Sequence, residues 1–176
     1  MILAIDPGNT ESGYVLLDKE LKPVEKGKIK NEELLLKITE IFFKYGYDVN
    51  IAIEMIASYG MAVGVTVFET CLWIGRFIQE IFIKTKKEPT LIYRQDEKIN
   101  LCGTKKAKDS NIIQALIDRF APNTPNKGKG TKKEQGWFYG FSKDIWQAYA
   151  VGVTYHDIYI TKTCKWLIHY KYEYKS

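Results

Sequence analysis

Cysteine and histidine are scarce in this chain of 176 residues. Cys71, Cys102 and Cys164 lie far apart, and neither His156 nor His169 stands in metal-ligand spacing with them. That argues against a zinc centre or a disulfide framework and fits a reducing, cytosolic setting. Long apolar runs are missing too. The most apolar stretch, 61–83, is interrupted by Glu69, Arg76 and Glu80, charges that argue against a membrane span. The start, Met1 to Asp6, lacks the basic leader and cleavage site of a signal peptide, so no secretory leader is expected. What remains is ordinary globular composition, with 45% hydrophobic and 27% charged residues, well away from disorder. The length suits one compact core. We place it at 1–160, with 161–176 as an aromatic and basic extension. The formal charge of +5 lies mainly in the second half and is compatible with a polyanionic partner.

Apolar runs at 2–6 and 14–17, joined by a Gly-bearing turn, and a third segment at 24–28 read as an antiparallel meander. Asn31 is placed to cap a helix ending near Tyr45 and Gly46, with Glu32 and Glu33 in its first turn. Residues 50–54 form a strand fed by that helix, which implies a parallel crossover. The segment 65–83 has apolar residues on more than one stripe, so its helix needs two partners, the sheet and either a deeper core or a second subunit. A strand at 90–93 and a helix at 110–120 follow. Residues 122–136 hold two prolines, three glycines and four lysines (Lys127, Lys129, Lys132 and Lys133), the composition of a mobile basic loop. A last helix runs over 142–160. The fold class is α/β, three layers around a mixed sheet.

Asp6-Pro-Gly-Asn-Thr-Glu-Ser-Gly13 sets a carboxylate where a strand stops, followed by glycines that let the backbone turn back closely. A strand-end Asp can also simply close an Asx turn. Glu54 ends a strand after Asn-Ile-Ala-Ile, an odd place for a charge unless something positive meets it. If that strand lies parallel beside the first, the carboxylates converge, with no Lys or Arg in sequence reach to be buried with them. Such a pair favours hard Mg²⁺ or Mn²⁺. Asp144 and Gln147 lie three apart at the start of the last helix and share a face; a first-turn acid also stabilises a helix without any catalytic role.

Asp6-Pro-Gly with Gly13, Glu54 closing a strand, and an acidic residue opening a final helix rich in small residues together resemble the RuvC family of Holliday junction resolvases. The similarity runs through nearly the whole chain and suggests a phage or bacterial member. It implies an RNase H-like fold with a five-stranded mixed sheet and helices on both faces. It also implies a symmetric homodimer and two Mg²⁺ ions, with Mn²⁺ as a substitute, activating water to cut branched DNA such as four-way junctions. By position Asp6 and Glu54 match the first two family carboxylates, and Asp144 falls where the family has His or Asp. Asp6 would bridge both ions, with Glu54 and Asp144 each holding one. Gln147 departs from the pattern, because the family has Asp there. A weakened enzyme, a natural variant leaning on Asp144, an inactivated form with an exchanged acid, and a junction-binding protein without cleavage are the readings this leaves. An Asp-x-Gly turn after a first strand also resembles actin-like ATPases, but those folds need two such domains.

Lys98, Lys105, Lys106 and Lys108 are the DNA-contact candidates. The last three precede a helix N-terminus, where lysine opposes the dipole unless a phosphate binds both. Tyr59 sits where the family probes the junction centre and would stack on an unpaired base.

Overall fold

The computed structural model describes residues 1–58, 60 and 62–164. Tyr59 and the aromatic–basic stretch 166–174 lie outside the described residues. Strands β1 (Ile2–Asp6), β2 (Glu11–Leu17) and β3 (Pro23–Lys30) lead into helix α1 (Asn31–Tyr45) and strand β4 (Asn50–Met55). Helix α2 (Val65–Thr85), strand β5 (Thr90–Tyr93) and helices α3 (Arg94–Cys102), α4 (Asp109–Phe120) and α5 (Lys143–Tyr155) follow, and α5 runs on into a π-helical turn at His156–Ile160. Among the described residues no helix is long and apolar enough to cross a membrane.

The sheet order is β3-β2-β1-β4-β5, with β1–β2 and β2–β3 antiparallel and β1–β4 and β4–β5 parallel. Alternation along β1 shows why two layers of helix are needed. Leu3 and Ile5 join Leu34, Ile38, Ile74 and Phe77 of α1 and α2. Ile2 points the other way, to Leu116 and Tyr149 of α4 and α5. Ala4 and Ala52, on that same face, meet Val151. These small residues let α5 close on the sheet. A Cβ at Gly152 would stand 2.6 Å from Leu17 Cδ1 and 3.1 Å from Ala4 Cβ, so any larger residue there would require Leu17 and the sheet surface to give way.

Three expectations change. Helix α3 was not expected. Asn31 does not cap α1, whose N-cap is Lys30; its side chain is spent on the turn after β1. The 122–136 segment, read from its composition as a mobile basic loop, carries local structure of its own. A 3₁₀ turn at Asn126–Gly128 and an isolated bridge between Gly130 and Gln135 close it, and Lys129 Nζ donates to the Phe141 carbonyl at 3.0 Å. Helix α2 settles one partner only. Its inner residues Ile74, Phe77 and Ile81 are buried, while Val65, Phe68 and Leu72 face outward.

Candidate active site

The parallel register pairs Ile5 with Ile53, so the next residues, Asp6 and Glu54, stand side by side at the same end of neighbouring strands. Ile5 and Ile53 point toward α1 and α2. Their successors therefore turn to the α5 face. The turn after β1 is clamped. Gly8 N–H donates to Ser12 Oγ at 3.2 Å, Ser12 Oγ donates to Asn31 Oδ1 at 2.6 Å, and Asn31 Nδ2 donates to the Gly8 carbonyl at 2.9 Å. Gly13 pairs with Asp6 across the ladder, and a Cβ there would lie 2.5 Å from the Asp144 carbonyl oxygen. Bare backbone at position 13 thus seats the first turn of α5 over the end of β1.

Burial is the main force on the Asp6 carboxyl, and Glu54, which also shares a hydrogen bond with it, and then Asp144 add to that; together they push Asp6 up to about 9. Glu54 is raised as well, by burial, against the opposing pull of Arg94. Two carboxylates held this close retain a proton between them. Asp144 ion-pairs with Lys28 Nζ at 3.2 Å, and the same ammonium reaches Glu11 at 3.3 Å.

Sequence reasoning missed half of this centre. Arg94, the first residue past β5, is only 20% exposed at its side chain. Its guanidinium donates to Glu97 at 2.5 Å and to Asp109 at 2.6 Å, and its charge acts on both Asp6 and Glu54. No Lys or Arg was expected within sequence reach of the carboxylates; the fold brings the half-buried Arg94 to them from farther along the chain. Arg94 is remote in sequence from Glu54 but follows the strand that lies beside it. Glu97 is fully buried and pushed well above its usual range by burial and by Glu54, with Arg94 opposing. For Asp109, burial is outweighed by the Arg94 hydrogen bond, and its pKa is lowered. Arg94-Gln-Asp-Glu-Lys98 reads as a solvated charge run. The signal that could have singled it out is its position directly after a strand in parallel register with β4.

Gln147 shares the inner face of α5 with Asp144, as expected, and is 7% exposed. Its Nε2 donates to Asp109 Oδ2 at 3.2 Å. Lys98 and Lys105 line, with Arg94 and Gln95, a depression of about 260 Å³ beside the acidic centre. Lys106 and Lys108 are exposed before α4, and the Lys108 N–H is bonded to Asn111 Oδ1 at 2.8 Å.

Among the described residues no three His, Cys, Asp or Glu side chains already form a metal-ligand cluster. The carboxyls are instead engaged with a proton, a lysine or an arginine. The donor set is nevertheless all oxygen. Two of those oxygens, Glu97 Oε1 and Gln147 Oε1, are buried without a hydrogen-bond partner. Buried orphan acceptors beside a proton-sharing carboxyl pair fit a hard divalent cation, which would satisfy them and release the proton.

No family model matches the sequence, and no curated protein does so either. Similar solved structures exist. RuvC of T. thermophilus in complex with a Holliday junction substrate superposes with a TM-score of 0.65 at 12% identity, covering 92% of this chain and 96% of that one. A further Thermus thermophilus RuvC structure gives 0.61 at 14% identity, over 89% and 93% of the two chains. The Fowlpox virus resolvase with its substrate Holliday junction DNA gives 0.52 at 15% identity, over 88% and 97%. The chain has the RNase H-like fold of these resolvases.

Proposed function

We propose that this chain is a metal-dependent, structure-specific endonuclease of the RuvC kind that hydrolyses phosphodiesters in branched DNA, four-way junctions above all, during recombination. The observation that carries the reading is the half-buried Asp6–Glu54 pair at in-register strand ends with Asp144 seated above it. The resolvase fold supports it, since two of the similar structures are complexes with junction DNA. Asp6, Glu54 and Asp144 would hold two Mg²⁺ ions, which Mn²⁺ could replace. Bound there, the ions supply charge neutralisation at the scissile phosphate and activation of a water nucleophile. The chain's own part is to fix the carboxylates through the Gly8–Ser12–Asn31 clamp and the Gly13 contact. Lys98 and Lys105 would take the neighbouring phosphates, Lys106 and Lys108 the next ones along the strand. Two such sites in a homodimer would meet two opposed strands of the four in a four-way junction.

A second reading, junction binding with little cleavage, is favoured by Arg94, which supplies internal positive charge to the acidic centre, and by Gln147, a neutral amide on the α5 face that carries Asp144. Both readings are tested by incubating the chain with labelled four-way, three-way, flap and duplex DNA in Mg²⁺. We expect paired nicks in the four-way junction, abolished by Asp6→Asn with junction affinity essentially unchanged. Cutting that survives Asp6→Asn would refute the site assignment. Binding without cutting until Gln147→Asp is introduced would establish the second reading.

A further inference from the structure

We propose that Lys26 and Lys30 of β3, with Lys28 between them, form a phosphate track that holds the DNA strand on the flank of the acidic centre away from Lys98 and Lys105. This rests on the nuclease reading above and adds to it the path of the substrate backbone.

The alternation of β3 sets the track. Glu25 is spent on Lys44 and Tyr45 of α1, and Ile29 packs into the core beneath α1 and α2. The odd positions of the strand therefore face those helices, and Lys26, Lys28 and Lys30 face the α5 side. Successive members stand about 6.7 Å apart along the strand, close to two phosphate steps along one strand of a duplex. The row is in register with the site, since Lys28 pairs with Gly13 and Gly13 with Asp6. Lys28 is thus two strands from Asp6 on one side, as β5, which leads into Arg94 and Lys98, is on the other. The acidic pair lies between two cationic flanks.

Lys28 Nζ is shared by Glu11 and Asp144. Lys26 has no such partner. It is half-buried with its Nζ 5.8 Å from the centroid of the Phe141 ring, and no acid among the described residues pairs with it. An ammonium partly withdrawn from water without a counter-charge costs free energy that an incoming phosphate offsets. Lys30 is exposed where the strand ends and makes no side-chain bond to the α1 terminus it precedes.

The simpler account makes these lysines a guard on an edge strand, where charge discourages pairing with another sheet. That account asks for charge on β3. It gives no reason for three charges of one sign on the face that carries Asp6, nor for withdrawing one of them from water beside Phe141.

The test is binding of the full chain to a labelled four-way junction in chelator, where nothing is cut, over a range of salt concentrations. Lys26→Gln and Lys30→Gln, which leave the Lys28 ion pairs in place, should each reduce the slope of log affinity against log salt by about 0.9, and the double variant by about 1.8. Lys26→Arg, which keeps the charge, should keep the slope and so separates phosphate contact from packing on Phe141. Lys87→Gln makes the same charge change at the opposite end of the sheet, beside Asp48, and should leave the slope unchanged. An unchanged slope in either glutamine variant of β3, an equal loss in Lys87→Gln, or a loss in Lys26→Arg as large as in Lys26→Gln would each overturn the track while leaving the nuclease reading intact. A wild-type chain with no salt-dependent junction binding would overturn both.

Discussion

Asp6 has its chemistry set by burial more than by any single neighbour. Its carboxyl lies beside Glu54 at the end of a sheet whose preceding residues are wholly buried, and it is pushed up to about 9. In the unfolded chain an Asp titrates near about 3.9. The folded state therefore binds the extra proton, and stability conferred by the protonated form is fully present below about pH 4 and is lost as pH rises toward about 9. Asp6→Asn mimics the protonated acid and cannot lose that stability. We expect the metal-free variant to be more stable than wild type above neutral pH, by at least about 1 kcal/mol, with a flatter dependence of melting temperature on pH. Thermal melts in chelator at acid, neutral and alkaline pH check this, and a variant that melts below wild type at alkaline pH would contradict it.

Helix α5 is the element on which the site depends, and its seat is made of absences. Gly13 and Gly152 have no Cβ where one would collide with the Asp144 carbonyl and with Leu17, and Ala4 and Ala52 keep the sheet surface low beneath it. Gly13→Ala should lift the first turn of α5, costing about 1–3 kcal/mol through forced backbone displacement. It should also cut nuclease activity more than stability explains, because Asp144 moves away from Asp6. Denaturant midpoints alongside cleavage rates check this; unchanged activity would mean that the contact does not position Asp144. The sequence made α5, β1 and β4 legible because their signals are local: a cap-and-acid start, strand-end acids and short apolar runs. Helix α3 was not legible. Arg94 to Lys98 alternate charge and polarity like a solvated loop, and the burial of Glu97 comes from a strand and a guanidinium brought together by the fold. The Asp109–Gln147 contact joins two helices 38 residues apart, with no periodicity to betray it. Asn31 shows the same limit on a smaller scale, since a capping Asn and one that ties a distant turn look alike in sequence. At the far end of α5, Asp157 accepts from both nitrogens of the Arg119 fork at 2.6 and 2.9 Å and from Asn100 at 2.9 Å. These bonds lock α3 and α4 to α5, and so fix the helices that bring Glu97 and Asp109 to the site.

For the whole molecule the decisive surface is the outer stripe of α2. Phe68 and Leu72 are 60% and 69% exposed, and Val65 beside them 72%. Their spacing of three and four residues makes one apolar ridge, and α1, which packs beside α2 through the Thr39–Glu80 hydrogen bond, adds exposed Leu36 and Phe43 to the same layer. Contiguous exposed apolar residues of this size mark an association surface. On the proposed function, a two-fold junction cut on two strands would call for two sites related by the same symmetry, and a second copy of the chain seated on this surface would supply them. Leu72→Asp should then convert a dimer into a monomer in analytical ultracentrifugation. Because the side chain is exposed, the fold should be left within about 0.5 kcal/mol of wild type. Paired cutting of a four-way junction should give way to slow single nicks, since each active site stays complete within one chain while coordination between two is lost. A wild-type chain that sediments as a monomer at working concentrations, or a Leu72→Asp variant that still sediments as a dimer, would remove α2 from the interface.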